Sequence, residues 1–331
     1  MNEKSATIQH CDLIVTENCF LRCKMCHIWK HRKDDETIPF KTYIEFLSAL
    51  KELSGKNTQI QFVGGEPLLK KGILDLISCA SSHGFPTTMT TNGCLIDREM
   101  ADGIIASGLN AIGFSLESLH GQRHDFLRGV PGTFKKVMDA ISYFQDTSAP
   151  KDIFISTIIN GTNLEDIIAI AEWVNKNPRL SFVYFQSVMQ PFAMAEDDSW
   201  HQREEVRFLW PDTTAVHKVL DKLIALQKQG YKIANPPGQF NAFKNYFSDP
   251  RKFIKKIKCN LGHNAFSVLP NGDVFLCFSL PPIGNIMVDK IGAIWVSEKA
   301  RKAREQISSC QKNCKLMINC FFENEESKII K

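Results

Sequence analysis

Between residues 12 and 186 the chain alternates short apolar runs with longer amphipathic ones, and this alternation limits its fold more than any other feature. Strand-like runs fall at 12–15, 59–63, 87–91, 111–116, 153–159 and 180–186, with helical patterns between them at 43–53, 73–83, 98–107, 134–144 and 164–175. In the last helical pattern Ile167, Ile168, Ala171 and Val174 recur at the steps that one buried helix face requires. Strands separated by helices do not pair as hairpins, so the pattern predicts an α/β fold with a parallel sheet and right-handed crossovers. Six strands and five helices fit a partial (β/α)6 TIM-like barrel, whose working residues belong at the C-terminal ends of the strands.

Three cysteines, Cys19, Cys23 and Cys26, stand just past the first strand in a Cys-x3-Cys-x2-Cys arrangement. They offer three thiolates and no fourth. Soft thiolates select iron-sulfur clusters, zinc or Cu(I), and a four-iron cube held at three corners keeps one iron open to a substrate or cofactor atom. A zinc reading recruits His27 to complete a tetrahedron. Cys23, Cys26 and His27 also match a haem-attachment pattern, but that chemistry needs an oxidising compartment, and residues 1–12 are polar and charged with no apolar signal segment.

The second strand runs straight into Gly64, Gly65, Glu66 and Pro67. Two glycines let a ligand approach the backbone, and a carboxylate then stands where an ammonium group could pair with it. With these four residues and the cysteine triplet, the chain resembles the radical S-adenosylmethionine (SAM) superfamily. The resemblance implies a 4Fe-4S cluster on Cys19, Cys23 and Cys26 whose open iron chelates SAM, with Gly64, Gly65 and Glu66 contacting SAM. It also implies that a reduced cluster splits SAM to a 5'-deoxyadenosyl radical, which abstracts hydrogen from a substrate. A low-potential electron donor such as a flavodoxin or ferredoxin would then be a partner.

Further strand ends extend the same reading. The fourth strand ends in Ser115, Leu116 and Glu117, an alternation that points a hydroxyl and a carboxylate to one side. In the family this position meets the ribose of SAM, so Ser115 and Glu117 are candidates, and Asn160 ends the fifth strand similarly. The run His124, Asp125, Arg128, Gly129, Gly132 and Phe134 resembles one found in members with a cysteine-rich C-terminal region. Arg128 is a candidate for the SAM carboxylate or for a surface salt bridge, and Thr133 for a helix cap.

Residues 189–258 break the alternation. Pro211 and Asp212 open an amphipathic helix carrying Val216, Val219, Leu220, Leu223 and Ile224, with Gly230 at its end and a Pro236-Pro237-Gly238 turn beyond. Cys259 and Cys277 then bracket a predicted hairpin, 266–269 and 274–276, around an Asn271-Gly272 two-residue turn. Cys310, Cys314 and Cys320 follow a helix over about 297–307. Gly272 and Cys277 resemble the opening of the SPASM and Twitch auxiliary-cluster domains. Five cysteines rather than seven imply one auxiliary 4Fe-4S cluster, on Cys259, Cys277 and two of Cys310, Cys314 and Cys320, with zinc as the competing metal. Three domains result: a radical SAM core at 1–190, a helical bridge at 191–258, and a small cysteine-rich domain with a β-hairpin and helix at 259–331.

Composition narrows the remaining classes. The chain has 331 residues, 44% hydrophobic and 23% charged, and a net charge of +4, an ordinary globular balance. No run approaches the roughly 18 apolar residues of a membrane helix. The cluster Arg251, Lys252, Lys255, Lys256 and Lys258 lacks interleaved aromatics, so it reads as a solvated face rather than a nucleic-acid site. Eleven cysteines without an export signal argue for metal ligation in a reducing, cytoplasmic setting. Cys11, Cys79 and Cys94 have no ligand spacing and read as small core residues.

The expected substrate is a ribosomal peptide or protein, because the 124–134 run resembles that of peptide maturases. A small carbohydrate or aminocyclitol undergoing oxidation or epimerisation is the alternative. A non-catalytic iron-sulfur electron carrier is the reading from another class. Sulfatase-maturing members place Asp after the Gly-x4-Cys cysteine, where Phe278 stands here. Anaerobically reconstituted protein is expected to carry about eight iron per chain with matching sulfide, from two four-iron cubes. About four iron with one zinc by elemental analysis would remove the second cube.

Overall fold

The computed structural model describes residues 8–30, 38–54, 58–192, 194, 197–251, 259 and 261–310. Six parallel strands, β1 (His10–Thr16), β2 (Gln59–Gly64), β3 (Thr87–Thr91), β4 (Ala111–Ser115), β5 (Asp152–Ile159) and β6 (Phe182–Ser187), lie side by side in chain order. Burial alternates along β5 and β6, as in β5, where Ile153, Ile155, Thr157 and Ile159 are all 0% exposed, while β3 and β4 bury three residues in succession. The crossovers carry α1 (Phe40–Ser54), α2 (Ile73–Ser82), α3 (Arg98–Ala106), α4 (Gly121–Arg128), α5 (Thr133–Ser142) and α6 (Leu164–Lys176). The expected α/β fold holds, as an open sheet rather than a closed barrel.

Helix α4 has no apolar stripe and is held by its neighbours instead. Arg123 ties it to α6 through Asp166 at 2.6 Å. The last carbonyls of a helix lack internal partners, and here the cysteine loop supplies two: Arg22 N donates to Arg128 O at 3.1 Å and Lys24 N to Leu127 O at 2.9 Å. The cap of α5 also comes from α4. Thr133 is the first residue of α5 rather than its cap, and Asp125 accepts from Phe134 N at 2.7 Å and from Thr133 Oγ1 at 2.8 Å.

The bridge holds α7 (Thr213–Lys228), with Asp212 accepting from Ala215 N at 2.8 Å, and α8 (Pro237–Ser248). Along the expected stripe Val216, Leu220 and Leu223 are buried, whereas Val219 and Ile224 are only partly so. The Pro-Pro-Gly sequence opens α8 rather than making a turn, because proline at the first helical position presets φ and lacks only an N–H that the helix would leave unpaired. Beyond α7 the chain runs along β6: Val183 N donates to Lys232 O at 2.8 Å, and Asn235 exchanges two side-chain hydrogen bonds with the Phe185 backbone. That covers an edge which would otherwise present open pairing groups.

The C-terminal region adds α9 (Leu261–Asn264), β7 (Ala265–Val268), β8 (Asp273–Phe275), β9 (Gly284–Asn285), α10 (Ile291–Trp295) and α11 (Glu298–Ser308). Strand β7 pairs in parallel with β1, from His10 opposite Ala265 to Leu13 opposite Val268, so one nine-stranded sheet runs through the expected boundary at 259. The hairpin loop differs from expectation. Leu269 N bonds Asp273 O and Gly272 N bonds Leu269 O, which makes a three-residue loop, Pro270 to Gly272. A two-residue Asn-Gly turn needs both residues at positive φ, but only Gly272 has it here, and Pro270 suits the first central position of an ordinary turn.

Two close approaches fix the cysteine loop. A Cβ on Gly65 would lie 2.1 Å from Asn18 O, and one on Gly129 would lie 2.2 Å from Arg22 O, with Gly129 also at φ +72. The backbone of residues 16–18 therefore lies directly on the end of β2, with Gly65 N donating to Thr16 O and Glu66 N to Asn18 O, each at 2.8 Å. Gly129→Ala is expected to destabilise the fold by about 1–3 kcal/mol and to lower iron content at the triplet. Anaerobic urea denaturation with iron analysis checks both.

Candidate active site

Cys19, Cys23 and Cys26 sit on the loop between β1 and α1, at the C-terminal end of β1. Cys23 is 7% exposed and the other two are half-buried. Burial pushes the Cys19 thiol up to about 12 and the Cys26 thiol up to about 11. As ligands the three would be soft thiolates, with a bound metal centre in place of the thiol protons. The donor set therefore fits a cluster. Among the described residues no three His, Cys, Asp or Glu side chains converge as a single ion would require, and His27, at φ 61, pairs through Nδ1 with Lys30 Nζ at 3.3 Å.

Glu66 is 1% exposed and joins two strand ends. Its carboxylate accepts from Thr91 Oγ1 at 2.6 Å, Asn92 N at 2.9 Å and Leu68 N at 3.2 Å. Burial raises its pKa, against the pull of these hydrogen bonds and of Arg128. Two ionised oxygens offer about four acceptor sites, so capacity remains beyond these three donors. Gly64 and Gly65 have a role not expected from sequence: the approaching group in the structure is the chain's own backbone.

Arg128, 9% exposed, and Glu117, 1% exposed, are buried together. Arg128 Nη2 donates to Glu117 Oε1 at 2.7 Å, and Nη1 lies 3.7 Å from Cys23 Sγ. The salt bridge is thus buried rather than on the surface, because α4 lays its last turn under the cysteine loop. Burial works against the Arg128 charge, but Glu117 and Cys23 outweigh it and hold its pKa above the ordinary value. Burial raises the Glu117 pKa, opposed by Arg128 and by the Ile158 N–H that reaches Oε2 at 2.9 Å. Arg128 Nε is buried with no hydrogen-bond partner among the described residues. An orphaned donor beside the Cys23 and Cys26 thiols and two buried carboxylates marks a place for an anionic or zwitterionic ligand.

Other candidates are placed less directly. Ser115 is half-buried at the end of β4, opposite Ser156 on β5. Asn160 is fully buried in a local turn, its Oδ1 accepting from Thr162 N at 2.9 Å and its Nδ2 donating to Ile158 O at 3.0 Å. Sequence reasoning missed Asn163, whose Nδ2 donates to Glu117 O and Ile158 O, both at 2.9 Å, and so ties β4 to β5. It gave no role to His124 either. Burial lowers that imidazole's pKa to about 3, and its Nδ1 accepts from Glu117 N at 3.2 Å. Cys94 is half-buried and packs against the core, its thiol pushed up to about 11 by burial, with the Lys136 and Arg128 charges opposing that rise and Glu66 adding to it. Its place after β3, at a working end, was the available signal.

Cys259 and Cys277 lie at the other end of the sheet. Cys277 follows β8, which runs antiparallel to β7, so it falls level with the start of β1, and Cys259 precedes α9 and β7. Gly262, three residues past Cys259, packs on Arg304 and Ile307 in the last turns before Cys310. Cys314 and Cys320 lie outside the described residues. Among the described residues no helix is long and apolar enough to cross a membrane.

This fold and site define a class. The radical SAM superfamily model matches residues 13–174, and the model of the iron-sulfur cluster-binding SPASM domain matches residues 259–320. The chain belongs to the radical SAM superfamily of enzymes and carries a C-terminal SPASM domain, which together imply a SAM-binding 4Fe-4S cluster and auxiliary iron-sulfur ligation. It is 28% identical over 258 residues to Fe-coproporphyrin III synthase of Methanosarcina barkeri, covering 74% of this chain and 58% of that one. It is 32% identical over 170 residues to AdoMet-dependent heme synthase of Nitratidesulfovibrio vulgaris, covering 49% and 45%. The chain thus spans about half the length of these curated relatives. Its fold is shared with Streptococcus suis SuiB bound to precursor peptide SuiA, at TM-score 0.69 and 15% identity, covering 95% of this chain and 71% of SuiB.

Removing one member of a buried ion pair typically costs about 3–5 kcal/mol because the partner stays charged and unpaired. Arg128→Met is expected to lose that much stability, and adding Glu117→Gln should restore most of it. A double-mutant cycle by urea denaturation measures the coupling.

Proposed function

We propose that this chain cleaves SAM reductively and uses the resulting radical to take a hydrogen atom from a peptide or protein. The observation that carries the reaction is the unpartnered Arg128 Nε, held beside Cys23 by the Glu117 pair. Cys19, Cys23 and Cys26 would hold a 4Fe-4S cluster, which would supply the single electron that reductive cleavage of SAM requires. The chain's own residues orient and shield the reactants. Arg128 is assigned to the SAM carboxylate. Glu66, with acceptor capacity left over, is assigned to the ammonium at the Gly64-Gly65 edge. Ser115 is assigned to the ribose, and Glu117 and Asn160 hold that strand-end surface in place through the hydrogen bonds they already make.

Neutral His124, accepting from Glu117 N, keeps this carboxylate's backbone fixed without adding a charge. Exclusion of water by the packed strand ends strengthens each of these contacts. For the auxiliary site, Cys259, Cys277 and Cys310 are assigned as ligands with Cys314 or Cys320. The substrate reading extends from the fold shared with SuiB, whose complex holds a precursor peptide. An iron tetrapyrrole is the second reading, favoured by the names of the sequence relatives.

Anaerobic protein reduced with dithionite is expected to turn SAM into 5'-deoxyadenosine. A variant with the three triplet cysteines changed to Ala should lose this yet keep about four iron per chain. Deuterium passing into 5'-deoxyadenosine from labelled peptides, iron coproporphyrin or sugars identifies the substrate class. Intact clusters without SAM cleavage would leave an electron carrier.

A further inference from the structure

Register sorts the strand side chains onto two faces. Leu13, Phe62, Met89, Ile112 and Ile153 stand in one row on the first, each at most 1% exposed. Helices cover that face, Phe46 of α1 meeting Phe266 and Phe240 of α8 meeting Phe185. On the second face Asp12, Gln61 and Thr88 share a row, and Ser115, Ser156 and Tyr184 share another nearer the strand ends. A filled barrel core is layered with branched apolar side chains, so a face this polar lines a space rather than filling one. Its upper end carries Ser115 and, two residues on, the Glu117 carboxylate paired with Arg128.

Asp12 is the unmatched charge on this second face. Among the described residues none of the nine strands contains a lysine or arginine. Gln61 and Ser267, level with Asp12 on the strands to either side, are uncharged. Asp152, in the same row on β5, has the Arg179 charge nearby. The Asp12 side chain makes no hydrogen bond or ion pair among the described residues, and burial pushes its carboxyl up to about 6 with no neighbouring charge to offset it. Holding such a carboxylate ionised costs free energy that a bound cation would return. We propose that Asp12 selects the substrate, pairing with an ammonium group of a peptide that lies along this face. The inference rests on the hydrogen abstraction from a peptide proposed above. Four residues of strand, at about 3.3 Å each, put Asp12 roughly 13 Å below Thr16, where β1 ends. The ammonium it holds is therefore not the group that reacts at the strand ends, and Asp12 is a specificity residue. An iron coproporphyrin is a poorer occupant, because its carboxylates find no cation on these strands.

The test uses full-length, anaerobically reconstituted protein loaded with SAM but not reduced, so that binding is read apart from reaction. The probes for calorimetric titration are an end-blocked peptide with one central lysine, the same peptide with norleucine there, the norleucine peptide with a free amino terminus, and iron coproporphyrin III. At least one ammonium-bearing peptide should bind about tenfold more tightly than the blocked norleucine peptide, and which one does so tells a lysine side chain from an amino terminus. Asp12→Asn and Asp12→Ala should each remove this preference while iron content and far-ultraviolet dichroism stay as in the wild type. Asp12→Glu should keep part of it, and Glu52→Gln, on the exposed side of α1, should leave it whole. No ammonium preference in the wild type would overturn the proposal. So would a preference that survives both Asp12→Asn and Asp12→Ala, or iron coproporphyrin III bound more tightly than either ammonium peptide. Reduction with dithionite then separates the two readings. SAM cleavage by a wild type without the preference defeats the role of Asp12 alone, whereas an Asp12-dependent preference without SAM cleavage defeats the reaction assigned to the site.

Discussion

Backbone lying on backbone is the constraint from which the site follows. The loop bearing the three cysteines has little secondary structure of its own, yet it must present three sulfurs in fixed positions. Gly65 admits the Asn18 carbonyl and Gly129 admits that of Arg22 where any side chain would collide. Hydrogen bonds then run from the end of β2 to residues 16 and 18, and from residues 22 and 24 to the last carbonyls of α4. The loop is clamped on both flanks by groups that cannot shift without breaking a helix end or a strand end. A rigid frame of this sort gives a loop the precision usually found on regular elements.

Charge burial is the second layer. Glu66, Glu117 and Arg128 are each at least nine-tenths buried, and such groups persist only when paired and hydrogen-bonded. Glu66 ties β2 to β3, Glu117 ties β4 to β5, and Arg128 brings Glu117 next to Cys23. The carboxylates therefore act first as struts, and any contact with a bound molecule draws on what remains of their capacity. Neutral His124 belongs to the same logic: an imidazolium beside Arg128 would be a second buried cation, and burial together with Arg128 holds it uncharged.

Strands and their order were legible because one buried face writes a period of two, and parallel pairing follows from the helices between. The triplet and the Gly-Gly-Glu turn were legible because few chemistries need those residue types together. Helix α4 was not, since Arg123, Asp125 and the cysteine loop hold it where an apolar stripe would otherwise be needed. Pro237 hid α8 because proline marks a helix start as readily as a turn. The pairing of β7 with β1 joins residues about 255 positions apart, as between His10 and Ala265, and no local pattern encodes such a partner. Asn163 escaped notice for the same reason: its role arises from what the sheet brings beside it.

That pairing also sets the two cysteine groups at opposite ends of one strand pair. Strand β1 delivers the chain to Cys19 at its finish, while β7 and β8 bring Cys277 level with its start, near His10. Seven residues of extended chain, at about 3.3 Å each, separate the ends by roughly 20 Å. Because β7 is hydrogen-bonded to β1 itself, the C-terminal region is part of the sheet rather than an appendage on a linker. The separation between Cys277 and the end of β1 that leads to the triplet is accordingly set by strand length. Substitutions that disturb the β1–β7 ladder should therefore affect both ends together, whereas those in the Gly65 or Gly129 contacts bear first on the triplet end.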